Sequence, residues 1–141
     1  MAKSYMTANL YARSVFGAKT YKLALQAAVS CPNRNPETGR GGCIFCSTGG
    51  SGDFAAPYAE NLDEQLAQAK RILGHKGENT KYIAYFQSYT GTYGDLARLE
   101  RIYLRACRHP DIAGLSIATR PDCLGDEALC CLPENASLVQ A

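Results

Sequence analysis

The sequence has no long apolar run, no block of like charges and no internal repeat. Without about 20 consecutive apolar residues, a membrane-spanning helix is not expected. The first residues, MAKSYMTANLYARS, also lack the apolar core of a secretory signal peptide. The formal net charge is +2 with both signs interleaved, which argues against a strong electrostatic nucleic-acid binder but does not exclude RNA as a substrate.

Cysteine is the residue type that the chain has in excess. Seven cysteines occur in 141 residues, and an odd number excludes a framework in which all of them form disulfides. Clustered cysteines without an export signal favour metal or redox chemistry in a reducing compartment, so we expect a cytoplasmic protein. A composition of 46% hydrophobic and 20% charged residues is that of one globular domain with a core.

Three of the cysteines fall in one glycine-rich loop. Cys31 is separated by eleven residues from the pair Cys43-Ile-Phe-Cys46. A closed structural metal site needs four protein ligands, whereas three thiolates leave one position free, as in an iron–sulfur cluster with one unligated iron. The spacing alone supports a zinc site about as well, with His75, His109 or Cys123 as the fourth ligand.

The remaining cysteines are expected to serve packing. Cys107 falls within a helical pattern and is predicted to be a small buried hydrophobe. Cys130 and Cys131 are adjacent in a short terminal helix and receive the same interpretation.

Apolar periodicity predicts that strands alternate with helices. The predicted strands are 21–29, 81–86 and 114–118, and the predicted helices are 61–73, 95–108 and 126–132. This order indicates an α/β fold with parallel strands joined by right-handed crossovers. Each strand is followed by an unusual loop: the cysteine loop, QSYTGTY and TRPD. Because the carboxyl ends of parallel strands share one edge, we expect these three loops to meet.

The three loops together resemble a known family. The segments CPNRNPETGRGGCIFC followed by GGSGDF, then YFQSYTGTY, then IATRPDCL are similar to those of radical S-adenosylmethionine (radical SAM) proteins. Among these, the eleven-residue gap between the first two cysteines matches the YhcC-type group, related to the radical SAM domain of the elongator catalytic subunit. The resemblance extends from about Tyr21 to Leu132.

The resemblance implies a role for particular residues. Cys31, Cys43 and Cys46 would hold a [4Fe–4S] cluster, and Phe45 would lie beside the adenine of S-adenosyl-L-methionine (SAM). Other SAM contacts would come from the loops after the second and third strands, at Gln87, Ser88, Thr90, Thr119 and Arg120. Arg120 suits a carboxylate because of its planar fork, and a structural salt bridge to Asp122 or Asp126 is an equally weighted alternative.

The resemblance also implies a reaction and an architecture. An electron from a donor such as flavodoxin or ferredoxin would cleave SAM reductively, giving methionine and a 5′-deoxyadenosyl radical. The fold would be a partial (β/α) barrel of the radical SAM type, of which this chain holds about three β/α units. We therefore expect a truncated core, with residues 1–20 as an N-terminal extension and 21–141 as the N-terminal half of the core domain. The alternative is a non-catalytic zinc or iron–sulfur module.

Overall fold

Helices and strands alternate along the residues that the computed structural model describes, which are 5–37, 41–77, 80–130 and 132. In chain order these elements are α1 (Ala8–Phe16), β1 (Thr20–Leu25), α2 (Leu62–Leu73), β2 (Lys81–Phe86), α3 (Leu96–Arg108), β3 (Ile112–Ile117) and α4 (Asp126–Cys130). Short 3₁₀ turns occupy Pro32–Arg34 in the cysteine loop and Pro121–Cys123 after β3. The alternation predicted from periodicity is confirmed.

The three strands form one parallel sheet in the order β1-β2-β3. Leu23 pairs with Ala84, and Ala84 pairs with Leu115, so apolar residues of all three strands share one face. A register shift between Tyr82 and Ile83 marks an irregularity in the pairing of β2 with β3. The structure confirms an α/β fold with a small, open, parallel sheet.

Helices α2 and α3 cover one face of this sheet and form the core with it. Leu66 of α2 and Tyr103 of α3 are 1% exposed, as is Phe86 of β2. The rings of Phe86 and Tyr103 meet edge to face, with centroids 4.9 Å apart. Burial of each such side chain stabilises the fold by about 1.5–3 kcal/mol. The packed layer therefore holds the sheet, and with it the ends of the strands, in place.

Both covering helices begin at residues that the sequence marks as N-caps. The side chain of Asn61 accepts a hydrogen bond from the Asp63 amide at 3.1 Å. The side chain of Asp95 accepts one from the Arg98 amide at 3.1 Å. These bonds satisfy amides that have no partner within the helix, which confirms the predicted helix starts.

Helix α1 lies within residues 1–20, where the sequence analysis expects only an extension. Thr7 caps it by accepting from the Leu10 amide, and Gly17 ends it in the left-handed region at φ +70. The helix packs on the sheet face opposite α2 and α3. There a Cβ on Gly114 would lie 3.4 Å from Phe16 Cζ, so the glycine lets the helix approach. This helix is short and mixes polar with apolar residues, so apolar periodicity does not predict it.

Three predicted boundaries differ from the structure. Strand β1 ends at Leu25 rather than at residue 29, because the backbone of 26–30 leaves the sheet and bonds to side chains instead. Helix α4 is described only as far as Cys130, and residue 131 lies outside the described residues. The third strand begins at Ile112, two residues before its predicted start.

Candidate functional site

The loops that follow the three strands meet at the carboxyl edge of the sheet, as predicted. The Tyr89 amide, after β2, donates to the Gly50 carbonyl of the cysteine loop at 2.8 Å. The Gly91 amide donates to the Ala118 carbonyl, after β3, at 2.8 Å. The hydroxyl of Thr92 lies within hydrogen-bond distance of the Thr119 hydroxyl. One continuous set of contacts therefore joins the three loops.

Two glycines allow the cysteine loop to lie directly on the loop after β2. Gly50 has φ +59, and a Cβ there would come within 2.3 Å of the Tyr89 ring. A Cβ on Gly52 would come within 1.9 Å of Ser88 Oγ. Such distances are far below van der Waals contact, so this approach requires the absence of a side chain at both positions.

A cavity of about 540 Å³ opens where the loops meet. Its walls include most of the residues predicted from the sequence, namely Cys31, Cys43, Phe45, Cys46, Gln87, Thr90, Thr119 and Arg120. Among the other lining residues are five that the sequence analysis did not identify: Asn33, Arg34, Ser51, Tyr85 and Tyr89. The volume is in the range of small-molecule sites.

Ser88 is the predicted site residue that does not line this cavity. Its side chain lies beneath Gly52 and the residue is 4% exposed. Within the described chain its hydroxyl has no hydrogen-bond partner. The structure therefore brings together the three predicted cysteines and five of the six other predicted residues.

Each of the three sulfurs has a polar neighbour. Burial raises the pKa of Cys31, but hydrogen bonds from the Thr90 hydroxyl and the Asn33 backbone, together with Arg120, outweigh it, so its pKa is lowered overall. The side chain of Asn33 donates to Cys43 Sγ at 3.0 Å. Cys46 Sγ lies 3.7 Å from a serine hydroxyl, that of Ser51. The donors around Cys31 favour its thiolate, and the thiolate is the form of cysteine that binds metals.

These cysteines share a cavity wall without converging on one point. In the part of the chain that the structure describes, no three His, Cys, Asp or Glu side chains are grouped as ligands of a metal ion. The chemistry of the donor set, three thiols with nearby N–H and O–H groups, fits a thiolate-bound iron–sulfur cluster.

Arg34 is a site residue that the sequence analysis missed. Its guanidinium donates to the Thr48 carbonyl at 3.1 Å and also to the Ser47 carbonyl. The same group lies 5.4 Å from the centroid of the Tyr89 ring. It therefore fastens the residues that follow Cys46 to the loop after β2. The only signal in the sequence is an arginine close to the first cysteine.

Arg120 pairs with Asp122 in a bidentate ion pair. Its Nε lies 2.8 Å from Asp122 Oδ1, and its Nη2 lies 2.6 Å from Oδ2. The hydrogen bond and the charge of Arg120 lower the pKa of the Asp122 carboxyl, and the pair raises the pKa of Arg120. The first of the two expected salt bridges is thus present, on a guanidinium that also lines the cavity.

The other candidate ligands lie away from the cavity wall. Cys123 Sγ is 3.8 Å from Asp122 Oδ1, and burial and the Asp122 charge raise the pKa of this thiol. His75 follows α2 and His109 follows α3, which places both at the opposite, amino edge of the sheet. His109 Nδ1 accepts from the Asp111 amide at 3.2 Å.

The packing role predicted for the remaining cysteines is wrong where it can be checked. Cys107 lies in the last turn of α3, next to the buried Ala106, and is exposed. Cys130 is exposed as well. Cys131 lies outside the described residues.

Known proteins similar to this chain are longer than it is. It is 42% identical to the uncharacterized protein YtqA of Bacillus subtilis (strain 168) over 132 residues, which are 94% of this chain and 41% of that protein. It is 39% identical to protein YhcC of Escherichia coli (strain K12) over 114 residues, 81% of this chain and 36% of that protein. It is 33% identical to the uncharacterized protein MJ0486 of Methanocaldococcus jannaschii over 89% of this chain and 38% of that protein.

The chain thus spans about two-fifths of the length of the curated relatives that it matches. No family model matches it, and no solved structure matches it significantly. Among the described helices, none has the length and apolar character that crossing a membrane requires.

Proposed function

We propose that this chain is the cofactor-binding part of a radical SAM enzyme. The observation that carries the proposal is the single cavity lined by Cys31, Cys43 and Cys46 together with Phe45 and Arg120. These residues come from loops after different strands, and a cavity of about 540 Å³ has room for a ligand of the size of SAM. The substrate and the product stay undefined.

Different residues of the site would bind the cluster and SAM. The three thiolates would hold a [4Fe–4S] cluster, with donors such as Asn33 Nδ2 moderating their charge. Phe45 is 83% exposed at the cavity rim, where it is free to stack on a planar base. When bound there, the reduced cluster and SAM would together supply the radical chemistry that removes a hydrogen atom from a substrate.

Polar groups of the two later loops would orient SAM. Gln87, Thr90 and Thr119 line the wall with amide and hydroxyl groups that suit an ammonium or a ribose. Arg120 adds a fork that suits a carboxylate. Because Thr90 is 1% exposed, its position is fixed by the surrounding structure rather than by the ligand.

The architecture and setting belong to the same proposal. The parallel β1-β2-β3 sheet, with α2 and α3 on one face, would be three units of a partial (β/α) barrel. In its longer relatives further units would complete that barrel. The electron would come from a donor such as flavodoxin or ferredoxin in a reducing cytoplasm.

Anaerobic reconstitution with iron and sulfide tests the proposal. We expect about four irons per chain, and after reduction an electron paramagnetic resonance signal of [4Fe–4S]⁺ that changes when SAM is added. Cys31→Ala should abolish this loading, whereas Cys107→Ala, which removes an exposed thiol on α3, should not. Binding of one zinc ion in place of a cluster would favour the non-catalytic module, and loading that survives Cys31→Ala would overturn the ligand set.

A further inference from the structure

The segment between β1 and Cys31 leaves the sheet and is buried only in part. Residues 26–30 are neither strand nor helix, and Ala27 among them is 2% exposed. Ala28 has φ +48, a backbone conformation that costs a residue with a Cβ. Because buried backbone N–H and C=O groups need partners, something other than a strand must satisfy this segment.

Gln65 of α2 supplies the first partners. Its Oε1 accepts from the Gln26 amide at 2.5 Å, and its Nε2 donates to the Gln26 carbonyl at 3.2 Å. The side-chain amide therefore makes the two bonds that a neighbouring strand would make. Gln65 is 1% exposed, and buried polar side chains are in the large majority of cases hydrogen-bonded.

Arg98 of α3 supplies the next partners. Its Nη1 donates to the Ala27 carbonyl at 2.9 Å and lies 3.5 Å from the Ala28 carbonyl, while its Nη2 donates to the Tyr58 hydroxyl at 3.1 Å. A guanidinium presents several donors in a rigid fork, so one side chain can hold two successive carbonyls. One of these belongs to the residue with positive φ.

Backbone amides of the loops bond the last residues before and at the first cysteine. The Ser30 carbonyl accepts from the Thr90 amide at 3.2 Å, and the Cys31 carbonyl accepts from the Arg34 amide at 2.8 Å. We propose that Gln65 and Arg98 are positioning residues that set the place of Cys31 from the outer helices, without touching the cavity. The link to catalysis rests on the proposed function, since it takes Cys31 as a cluster ligand.

The first test needs no cofactor. Gln65→Met and Arg98→Met keep apolar bulk but remove these bonds, with Gln68→Met and Arg101→Met on the same helices as matched controls. Alkylation of the apoprotein, followed for each cysteine by mass spectrometry, should show Cys31 reacting about tenfold faster relative to Cys43 and Cys46. The control variants should keep the wild-type ratio, and Arg98→Lys, which retains one donor, should restore it in part.

The second test uses the reconstituted protein. The Gln65→Met and Arg98→Met variants should lose iron about tenfold faster than wild type under a chelator. If wild type binds no cluster, the proposed function fails while the alkylation ratio still tests the positioning. An unchanged ratio in both variants overturns the inference. So does an equal rise at all three cysteines with loss of helical circular dichroism, because the two residues would then merely hold the fold.

Discussion

The two arms of the cysteine loop are held from different sides. The first arm, residues 26–31, is bonded to the outer helices through Gln65 and Arg98. The second arm, residues 43–50, is bonded within the site itself, through Arg34 and Tyr89. Cys31 is therefore held by the outer helices as well as by the loops, whereas the contacts of the second arm come from the loops.

The large exposed apolar side chains of the cysteine loop lie in its second arm. Ala27 in the first arm is 2% exposed, while Ile44 and Phe45 in the second arm are 104% and 83% exposed. Large apolar side chains left in water at the rim of a cavity are available to a ligand or a partner. The first arm therefore positions Cys31, and the second arm presents apolar surface to a ligand or a partner.

The largest expected effect comes from Gly50→Ala, which should disrupt the contact between the second arm and Tyr89. A Cβ at this position would lie 2.3 Å from the Tyr89 ring, and φ is +59. We expect a loss of about 1–3 kcal/mol in the free energy of unfolding, measured by urea denaturation. Gly125→Ala is the control, since a Cβ there meets nothing within 4 Å. Equal stability of the two variants would show that the loops do not rest on each other.

A smaller effect is expected from Arg34→Met, which releases the second arm without touching the first. The bonds to the Ser47 and Thr48 carbonyls are lost, for about 1 kcal/mol of stability. Alkylation of Cys43 and Cys46 should then rise relative to Cys31, the reverse of the ratio expected for Arg98→Met. Arg71→Met, an exposed arginine on α2, is the control. A rise at Cys31 instead would mean that the arms are not held separately.

The smallest effect is expected from Asp122→Asn, which frees Arg120 for a ligand carboxylate. An exposed ion pair is weak, so removal of its competing charge should tighten SAM binding by no more than about fivefold. Calorimetric titration of the cluster-loaded protein measures this, with Asp63→Asn, which breaks the ion pair with Arg105, as control. Weaker SAM binding would indicate that Asp122 orients Arg120 rather than competing for it.

Local signals predicted the layered part of the molecule well. The helices capped by Asn61 and Asp95 begin where apolar periodicity predicted helices, and the loops after parallel strands had to share an edge. These local signals did not predict the segment whose backbone is hydrogen-bonded by polar side chains rather than by a neighbouring strand. Gln65 lies beside the apolar stripe of α2. Its local sequence pattern does not predict a bond to residue 26, 39 positions earlier.

Likewise, the position of a side chain within a loop does not follow from its place in a motif. Ser88 is adjacent to Gln87, yet it lies under Gly52 instead of facing the cavity. Cys107 falls among apolar residues, yet it faces solvent. Both depend on where a distant glycine or a neighbouring helix packs, which requires the tertiary structure.

Tyr89 combines a costly backbone conformation with side-chain contacts that hold the second arm. It has φ +61, which costs a tyrosine about 1–3 kcal/mol, and its ring and hydroxyl hold the second arm in return. A search for stabilised variants would favour glycine at 89, because it relaxes the backbone. A search for cofactor retention would keep tyrosine. A gain in thermal stability from Tyr89→Gly accompanied by loss of iron would reveal this trade-off at a single residue.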